Sequence, residues 1–177
     1  MSKAVAMNVM RKPQIIKVTI NIGVGEGGER LLAAEKVLRL ITGLEPVRTI
    51  AKITNRELKV REGAPIGCKV TMRKQDQIQA LLKDLFWIKQ GALPAYNFDA
   101  QGNLSVGIRD YTDFPDQKYD PDIGIFGMDI NVVLERPGHR VSRRRRRKAK
   151  VGHSHLVSQS ESQGWFAEQF GLKIVEE

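Results

Sequence analysis

Residues 15–23 of this chain are IIKVTINIG, and residues 24–28 continue with VGEGG. The first stretch is rich in β-branched residues, which predicts a buried strand, and the glycines that follow predict a tight turn. Residues 30–41 then carry apolar side chains at helical spacing, and Gly43 stands where a helix C-cap favours glycine. The chain therefore opens with a strand, a turn and a helix.

The remaining pattern completes an α+β fold. Further strands are predicted at 47–54, 67–72, 104–108 and 128–134, and further helices after the capping residues Asp76 and Ser158. The order β-α-β-β-α-β-β-α predicts a mixed or antiparallel β-sheet with helices packed on one face, which leaves the other face open to a large partner. Without repeats or Pro/Ser-rich linkers, residues 1–177 are expected to form one domain with a basic extension at about 136–155.

Charge is distributed unevenly along the chain. Residues 136–150 carry nine basic residues and no acidic one, and residues 1–74 carry 15 basic and six acidic residues. Residues 75–135 and 151–177 are both net acidic, with ten acidic against four basic residues in the first of them. Two basic regions on an otherwise acidic chain indicate a polyanionic partner that meets one part of the surface.

Several classes of protein are disfavoured by composition. The N-terminal residues 1–12 lack the apolar run of a secretory signal, and no apolar stretch approaches the roughly 20 residues that span a bilayer. The single cysteine, Cys68, is expected to be a buried small hydrophobe in a reducing compartment, with the cytoplasm as the default location. His153 and His155 lack a neighbouring acid and are expected to contact phosphate or water rather than a metal. No catalytic constellation, cofactor or small-molecule substrate is expected.

The glycine turn offers an alternative function. Residues 23–28 match G-x-G-x-x-G after a strand and before a helix, and Glu45 lies about 20 residues further on, as in a dinucleotide-binding unit. Against this, Glu26 would place a negative charge beside a pyrophosphate, and Glu45 lies between a helix end and Pro46. The pattern favours a structural turn or a turn that approaches RNA backbone, and a dinucleotide-dependent enzyme remains the rival hypothesis.

The arginine run at 143–147 predicts contact with phosphates, because each guanidinium is permanently charged and can bind a phosphate with two hydrogen bonds. It lacks apolar periodicity, so we expect it to be disordered without its partner. A solvated tail, a localisation signal and a general nucleic-acid chaperone acting only through this run are the alternatives. A membrane surface is disfavoured, because no amphipathic apolar face accompanies the run.

Several ordered strings together resemble the L-five family of large-subunit ribosomal proteins. They are KVTINIGVGE at 17–26, ITG at 41–43, VREGAPIGCKVTMR at 60–73, GNLSVGI at 102–108 and YDPDIGIFGMDI at 119–130. The resemblance covers about residues 8–177. The Arg-Pro-Gly at 136–138, the basic extension and the Trp165-Phe166 helix resemble the archaeal and eukaryotic branch of the family.

The resemblance implies an RNA-binding structural protein of the cytoplasmic ribosome. It would bind 5S rRNA, attach it to the central protuberance of the large subunit, and contact large-subunit rRNA. The sheet residues that would face 5S rRNA are Asn21, Thr71, Arg73, Asp129 and Ile130. Leu44 and Leu58 depart from the family pattern, in which a glutamine and an aromatic residue are frequent.

The resemblance also implies partners outside 5S rRNA. A hairpin finger at about 52–66 would reach P-site tRNA with Lys52, Arg56, Lys59 and Arg61. The acidic side of the protein, which includes the acidic connection at 110–121, would face a small-subunit protein of the S-thirteen family across an intersubunit bridge. The rRNA phosphates would be contacted by Arg136, Arg140, Arg143, Arg144, Arg145, Arg146, Arg147, Lys148 and Lys150.

Overall fold

A five-stranded, wholly antiparallel sheet lies at the centre of the computed structural model, which describes residues 8–25, 27–115 and 117–175. In spatial order its strands are β2 (Val47–Ile50), β3 (Pro65–Met72), β1 (Gln14–Gly23), β6 (Met128–Glu135) and β5 (Leu104–Ile108). A separate parallel pair, β4 (Ala92–Pro94) with β7 (Lys173–Val175), was not predicted. The α+β class and the antiparallel sheet are confirmed.

Among the described residues, four α-helices accompany the sheet, namely α1 (Glu29–Thr42), α2 (Gln75–Ile88), the short α3 (Arg140–Arg143) and α4 (Gln159–Phe170). Helix α1 ends as predicted at Gly43, whose φ of 64° is left-handed. Ser158 caps α4 by accepting a hydrogen bond from the Glu161 amide, also as predicted. The predicted cap Asp76 is wrong, because it lies inside the first turn of α2 and Lys74 occupies the cap position.

The two faces of the sheet differ in burial. Val18, Ile20 and Ile22 of β1 are at most 1% exposed and face the helices, and Cys68 is fully buried as predicted. Most alternate residues of β1, β3 and β6 point to the other face and stay partly or fully exposed. A continuous apolar core therefore fills only the helix side, which confirms the predicted packing of helices on one face.

The antiparallel pairing also decides what lies at each end of the sheet. The start of β1 and the ends of β3 and β6 meet at one end, where the basic extension leaves β6. The end of β1 and the starts of β3 and β6 meet at the other, together with the finger and the acidic connection. A ten-residue strand such as β1 is about 30 Å long, so the two basic regions are far apart.

The topology excludes the dinucleotide-binding alternative. In a dinucleotide-binding unit, the strand that follows the helix lies beside the first strand and parallel to it. The strand after α1 is β2, which runs in the same direction as β1 but lies at the sheet edge, separated from β1 by the antiparallel strand β3. The turn amides of Val24 and Gly25 both donate to the Ile66 carbonyl, at 3.0 and 2.8 Å. The glycine turn is thus a structural turn against the base of the finger, and Glu26 lies outside the described residues.

Candidate nucleic-acid interface

The side of the sheet that faces away from the helices, here the open face, carries polar side chains in lateral rows. Strand register places Lys69, Asn21 and Asp129 side by side in one row. The next row contains Thr71, Thr19 and Asn131, and Ser105 at its end donates to the Asn131 side-chain oxygen at 2.8 Å. Neighbours in such a row are about 5 Å apart, so the open face presents a dense array of donors and acceptors.

Four of the five predicted sheet residues belong to this surface. Asn21, Thr71 and Asp129 lie in adjacent rows, and Arg73 continues the alternation of β3 one residue past its end, where it is exposed. The prediction that Ile130 faces RNA is wrong. Its side chain is fully buried on the helix side, because consecutive residues of a strand point to opposite faces.

Sequence reasoning missed other members of the open face. Lys17, Thr19 and Asn131 alternate with the buried residues of β1 and β6, and Lys69 lies between buried Cys68 and Val70. The alternation of polar and apolar residues around Asn21, Thr71 and Asp129 already indicated that these further side chains face the same way. Two lysines therefore add positive charge along the array of amides and hydroxyls.

The finger is a structured hairpin whose cations are exposed. Asn55 and Val60 exchange both backbone hydrogen bonds at 2.9 Å, and the Asn55 side-chain oxygen accepts from the Glu57 and Leu58 amides. Nearer the sheet, the Ala51 amide donates to Ala64 and its carbonyl accepts from Gly63. The predicted cations of the finger all lie in its exposed part: Lys52, Arg56, Lys59 and Arg61.

Arg136 was predicted to contact rRNA phosphate, but in this structure its side chain is occupied within the protein. Its guanidinium donates to the carbonyls of Arg11, Ser154 and Leu156 and pairs with the Glu161 carboxylate at 2.5 Å. Only 13% of the side chain is exposed. The donors that would grip a phosphate are thus used to close the basic extension onto the N-terminal segment and α4.

The rest of the basic extension divides into anchored and exposed residues. Arg143 pairs with buried Glu135 yet stays half exposed, and the Arg144 side chain donates to the Arg147 carbonyl at 2.7 Å. The remaining predicted phosphate contacts are exposed: Arg140, Arg145, Arg146, Arg147, Lys148 and Lys150. His155 departs from expectation, since its ring nitrogen pairs with the Pro137 carbonyl at 2.8 Å. The expected disorder without RNA stays a prediction for the exposed stretch.

An ion pair connects β2, at the edge of the sheet, to the helix layer. Arg48 of β2 donates to Glu35 of α1, whose carboxylate is only 8% exposed. The hydrogen bond from Arg48 lowers the pKa of Glu35, against the opposing effect of burial. Burial, followed by the Glu35 charge, raises the pKa of the neighbouring Cys68 thiol to about 11. The thiol is therefore inert at neutral pH, and Glu35 holds β2 in place beneath the finger.

The acidic connection is folded back on itself at the finger end of the sheet. Asp110 and Asp120 accept backbone hydrogen bonds from Thr112 and Asp122, and the buried Tyr111 hydroxyl accepts from the Asp120 amide. Asp116 lies outside the described residues. In the part that the structure describes, no group of three His, Cys, Asp or Glu side chains could hold a metal ion, and no helix is long and apolar enough to cross a membrane.

Comparison with known proteins decides the family. The family model for Ribosomal protein L5 matches residues 8–61, and the model for the C-terminus of the same ribosomal family matches residues 65–161. The chain belongs to the ribosomal protein L5 family. The large ribosomal subunit protein uL5 of Sulfurisphaera tokodaii is 48% identical over 177 residues, covering 99% of each chain. That of Methanosphaera stadtmanae is 47% identical over 95% of this chain and 99% of its own.

Membership of the L5 family has direct consequences for function. The protein is a structural constituent of the large ribosomal subunit and acts in translation, and its relatives are ribosomal proteins rather than enzymes. RNA binding is typical of the family. The predicted resemblance and the predicted place in the large subunit are confirmed, and the relatives come from archaea, one of the two branches that the basic extension indicated.

Proposed function

We propose that this protein binds 5S rRNA through the open face and helps to attach it to the central protuberance of the large subunit. One observation carries the proposal: the open face is mostly polar, contains no aromatic residue in the rows described above, and runs between two basic ends. Amides, hydroxyls and cations in rows about 5 Å apart suit the 2′-hydroxyls and phosphates of folded RNA. Base stacking, which single-strand binders rely on, has no platform there.

The basic extension would bind large-subunit rRNA. Its exposed arginines and lysines project from the end of the sheet where Lys17 and Arg73 of the open face also lie. Contacts with phosphates release counterions and give affinity without sequence preference. The chain would thus act as one domain that links two RNAs, with selectivity from the sheet and much of the affinity from the extension.

The finger and the acidic connection would meet other partners at the far end. The exposed cations of the finger suit the backbone of P-site tRNA, at a distance from the extension that lets both RNAs bind together. The acidic connection would be repelled by rRNA and would suit a basic small-subunit protein of the S-thirteen family. Opposite charges at one end would then orient the protein between the two subunits.

A salt titration tests the central claim. Binding of the full chain to 5S rRNA and to an unrelated RNA of matched length is measured from low salt to roughly 0.2 M, where purely electrostatic binding weakens by orders of magnitude. The double variant Asn21→Ala with Arg73→Ala should lower 5S affinity by about 100-fold, since each change removes hydrogen bonds, one of them charged. Its binding to the unrelated RNA should change little.

A matched control distinguishes the loss of open-face contacts from the loss of one amide and one positive charge elsewhere on the surface. Gln79→Ala with Lys83→Ala removes one amide and one cation from exposed positions on α2, on the helix side of the sheet. It should leave the 5S preference intact. Equal losses on both RNAs, or equal losses in both double variants, would contradict the assignment of the open face to 5S rRNA.

A further inference from the structure

A partly open cavity of about 480 Å³ lies between the basic extension and the sheet. Leu134, Leu156 and Val157 provide apolar walls, while Gln101 and Asn103 contribute amide groups from the turn before β5. The volume falls in the range of pockets that enclose small organic ligands. It lies at the end of the sheet where the basic extension leaves β6, so the proposed contacts of the extension with rRNA would bring RNA to its opening.

Most of the charged lining comes from the extension. Lys150, Arg143 and His139 belong to the extension, and Glu135 is the last residue of β6. Glu135 is already paired with Arg143, whereas Lys150 has no hydrogen bond or ion pair to any described residue. The Nε2 atom of His139 is buried and hydrogen-bonds to no atom of the described residues, although polar atoms at such depth are generally paired.

We propose that this cavity accepts a single unpaired nucleotide of the bound rRNA, an inference that rests on the proposed function. The base would lie against Leu156, which is 38% exposed, whereas Val157 and Leu134 are almost fully buried. The Gln101 amide offers a donor and an acceptor for its edge, and the Asn103 amide adds its oxygen, since its nitrogen already donates to Asp99. The buried Nε2 atom of His139 would reach the base after a change of side-chain rotamer. Lys150 at the rim would hold the adjoining phosphate.

The composition of the cavity favours a nucleotide over a bare phosphate or a helical backbone. A phosphate site needs converging donors and little apolar surface, and a helical backbone needs a shallow surface rather than a recess. Sequence-specific RNA recognition generally selects unpaired bases that leave the stack and enter such pockets. The cavity would therefore add base recognition to an interface that otherwise contacts shape and phosphates.

Photo-cross-linking gives a direct test. The full chain with Val151→benzoylphenylalanine, a partly buried lining position, is bound to 5S rRNA and to large-subunit rRNA and irradiated. Cross-linking to one unpaired nucleotide is expected, and it should persist in excess adenosine monophosphate. Cross-links scattered over paired regions, or none while binding is intact, would overturn the proposal. If excess adenosine monophosphate abolishes the cross-link to RNA while the RNA affinity is unchanged, the cavity binds free nucleotides instead.

A pair of lysine variants keeps the test valid if the cross-linker disturbs the fold. Lys150→Gln and Lys148→Gln remove the same charge from the same exposed run, but only Lys150 lines the cavity. Lys150→Gln should lose about 10-fold more affinity for the target rRNA than Lys148→Gln, as expected for a charged hydrogen bond. Equal losses would refute the nucleotide site while leaving 5S binding untouched. A wild-type chain without any 5S preference would instead contradict the proposed function.

Discussion

The finger and the basic extension are both rich in cations, but they are held in different ways. The finger depends on backbone hydrogen bonds, and all four of its predicted cations remain exposed. The extension is anchored by side chains, since Arg136 uses its donors inside the protein and Arg143 pairs with Glu135. A cation in a basic segment can therefore be a ligand for RNA or the support that positions such ligands.

The largest expected effect compares the basic extension with the finger when four cations are removed from each. Replacing the four arginines at 144–147 by Gln should reduce the slope of log affinity against log salt for large-subunit rRNA by about 3, with roughly 100-fold weaker binding at physiological salt. Replacing the four finger cations by Gln should alter that slope by less than about 1. Filter binding over a salt series measures both slopes.

The same pair of variants tests the chaperone alternative. If the protein binds RNA only through the arginine run, the 144–147 variant should lose all RNA binding. If the open face binds 5S rRNA, the 144–147 variant should retain a preference for 5S rRNA over an unrelated RNA, because its open face is unchanged. Equal slopes for the two quadruple variants would mean that total charge, rather than its position, governs binding.

Arg136→Ala should give the largest loss of stability for a single basic residue. The change leaves three carbonyls and the Glu161 carboxylate without their guanidinium partner, so the free energy of unfolding should fall by about 2–3 kcal/mol. Arg140→Ala, an exposed neighbour, should cost less than about 0.5 kcal/mol. Urea unfolding followed by circular dichroism compares them, and similar midpoints would refute the anchoring role of Arg136.

The base of the finger should be sensitive to a single methyl group. A Cβ at Gly67 would lie 2.6 Å from the Ile22 carbonyl and 3.0 Å from the Thr49 hydroxyl, so Gly67→Ala should cost about 1–3 kcal/mol. Gly107→Ala in β5 is the matched control, because its Cβ meets only the Asp129 carboxylate at 3.7 Å. Thermal unfolding should show a lower midpoint for the first variant only; two unchanged midpoints would contradict the close β1–β3 approach.

The smallest effect concerns the Glu35–Arg48 pair and depends on pH. Because the pKa of Glu35 is lower in the folded than in the unfolded chain, its stabilising contribution is complete above the unfolded value near 4.5 and is lost as pH falls through the folded value. Glu35→Gln should therefore be less stable than wild type at pH 7, with the difference shrinking below pH 4.5. A difference that is constant from pH 7 to pH 3 would show that the charge contributes nothing.

Much of the fold could be predicted because its signals are local. The β-branched run at 15–23, the helical spacing of 30–41 and the cap at Ser158 each depend on residues that are close along the chain. The open face was also accessible, because alternation in β1, β3 and β6 separates polar from buried positions. The error at Ile130 came from family resemblance, whereas alternation with Asp129 would have excluded it.

The sequence by itself determined the elements, the alternating faces of the strands, the two basic regions and the family. Only the tertiary structure decided which cations remain available, because the partners of Arg136 lie between 18 and 125 residues away along the chain. It also decided that the finger and the extension lie at opposite ends of the sheet, and that a cavity lies between the extension and the end of β6. Strand pairing and long-range hydrogen bonds connect distant residues, and no local pattern encodes those connections.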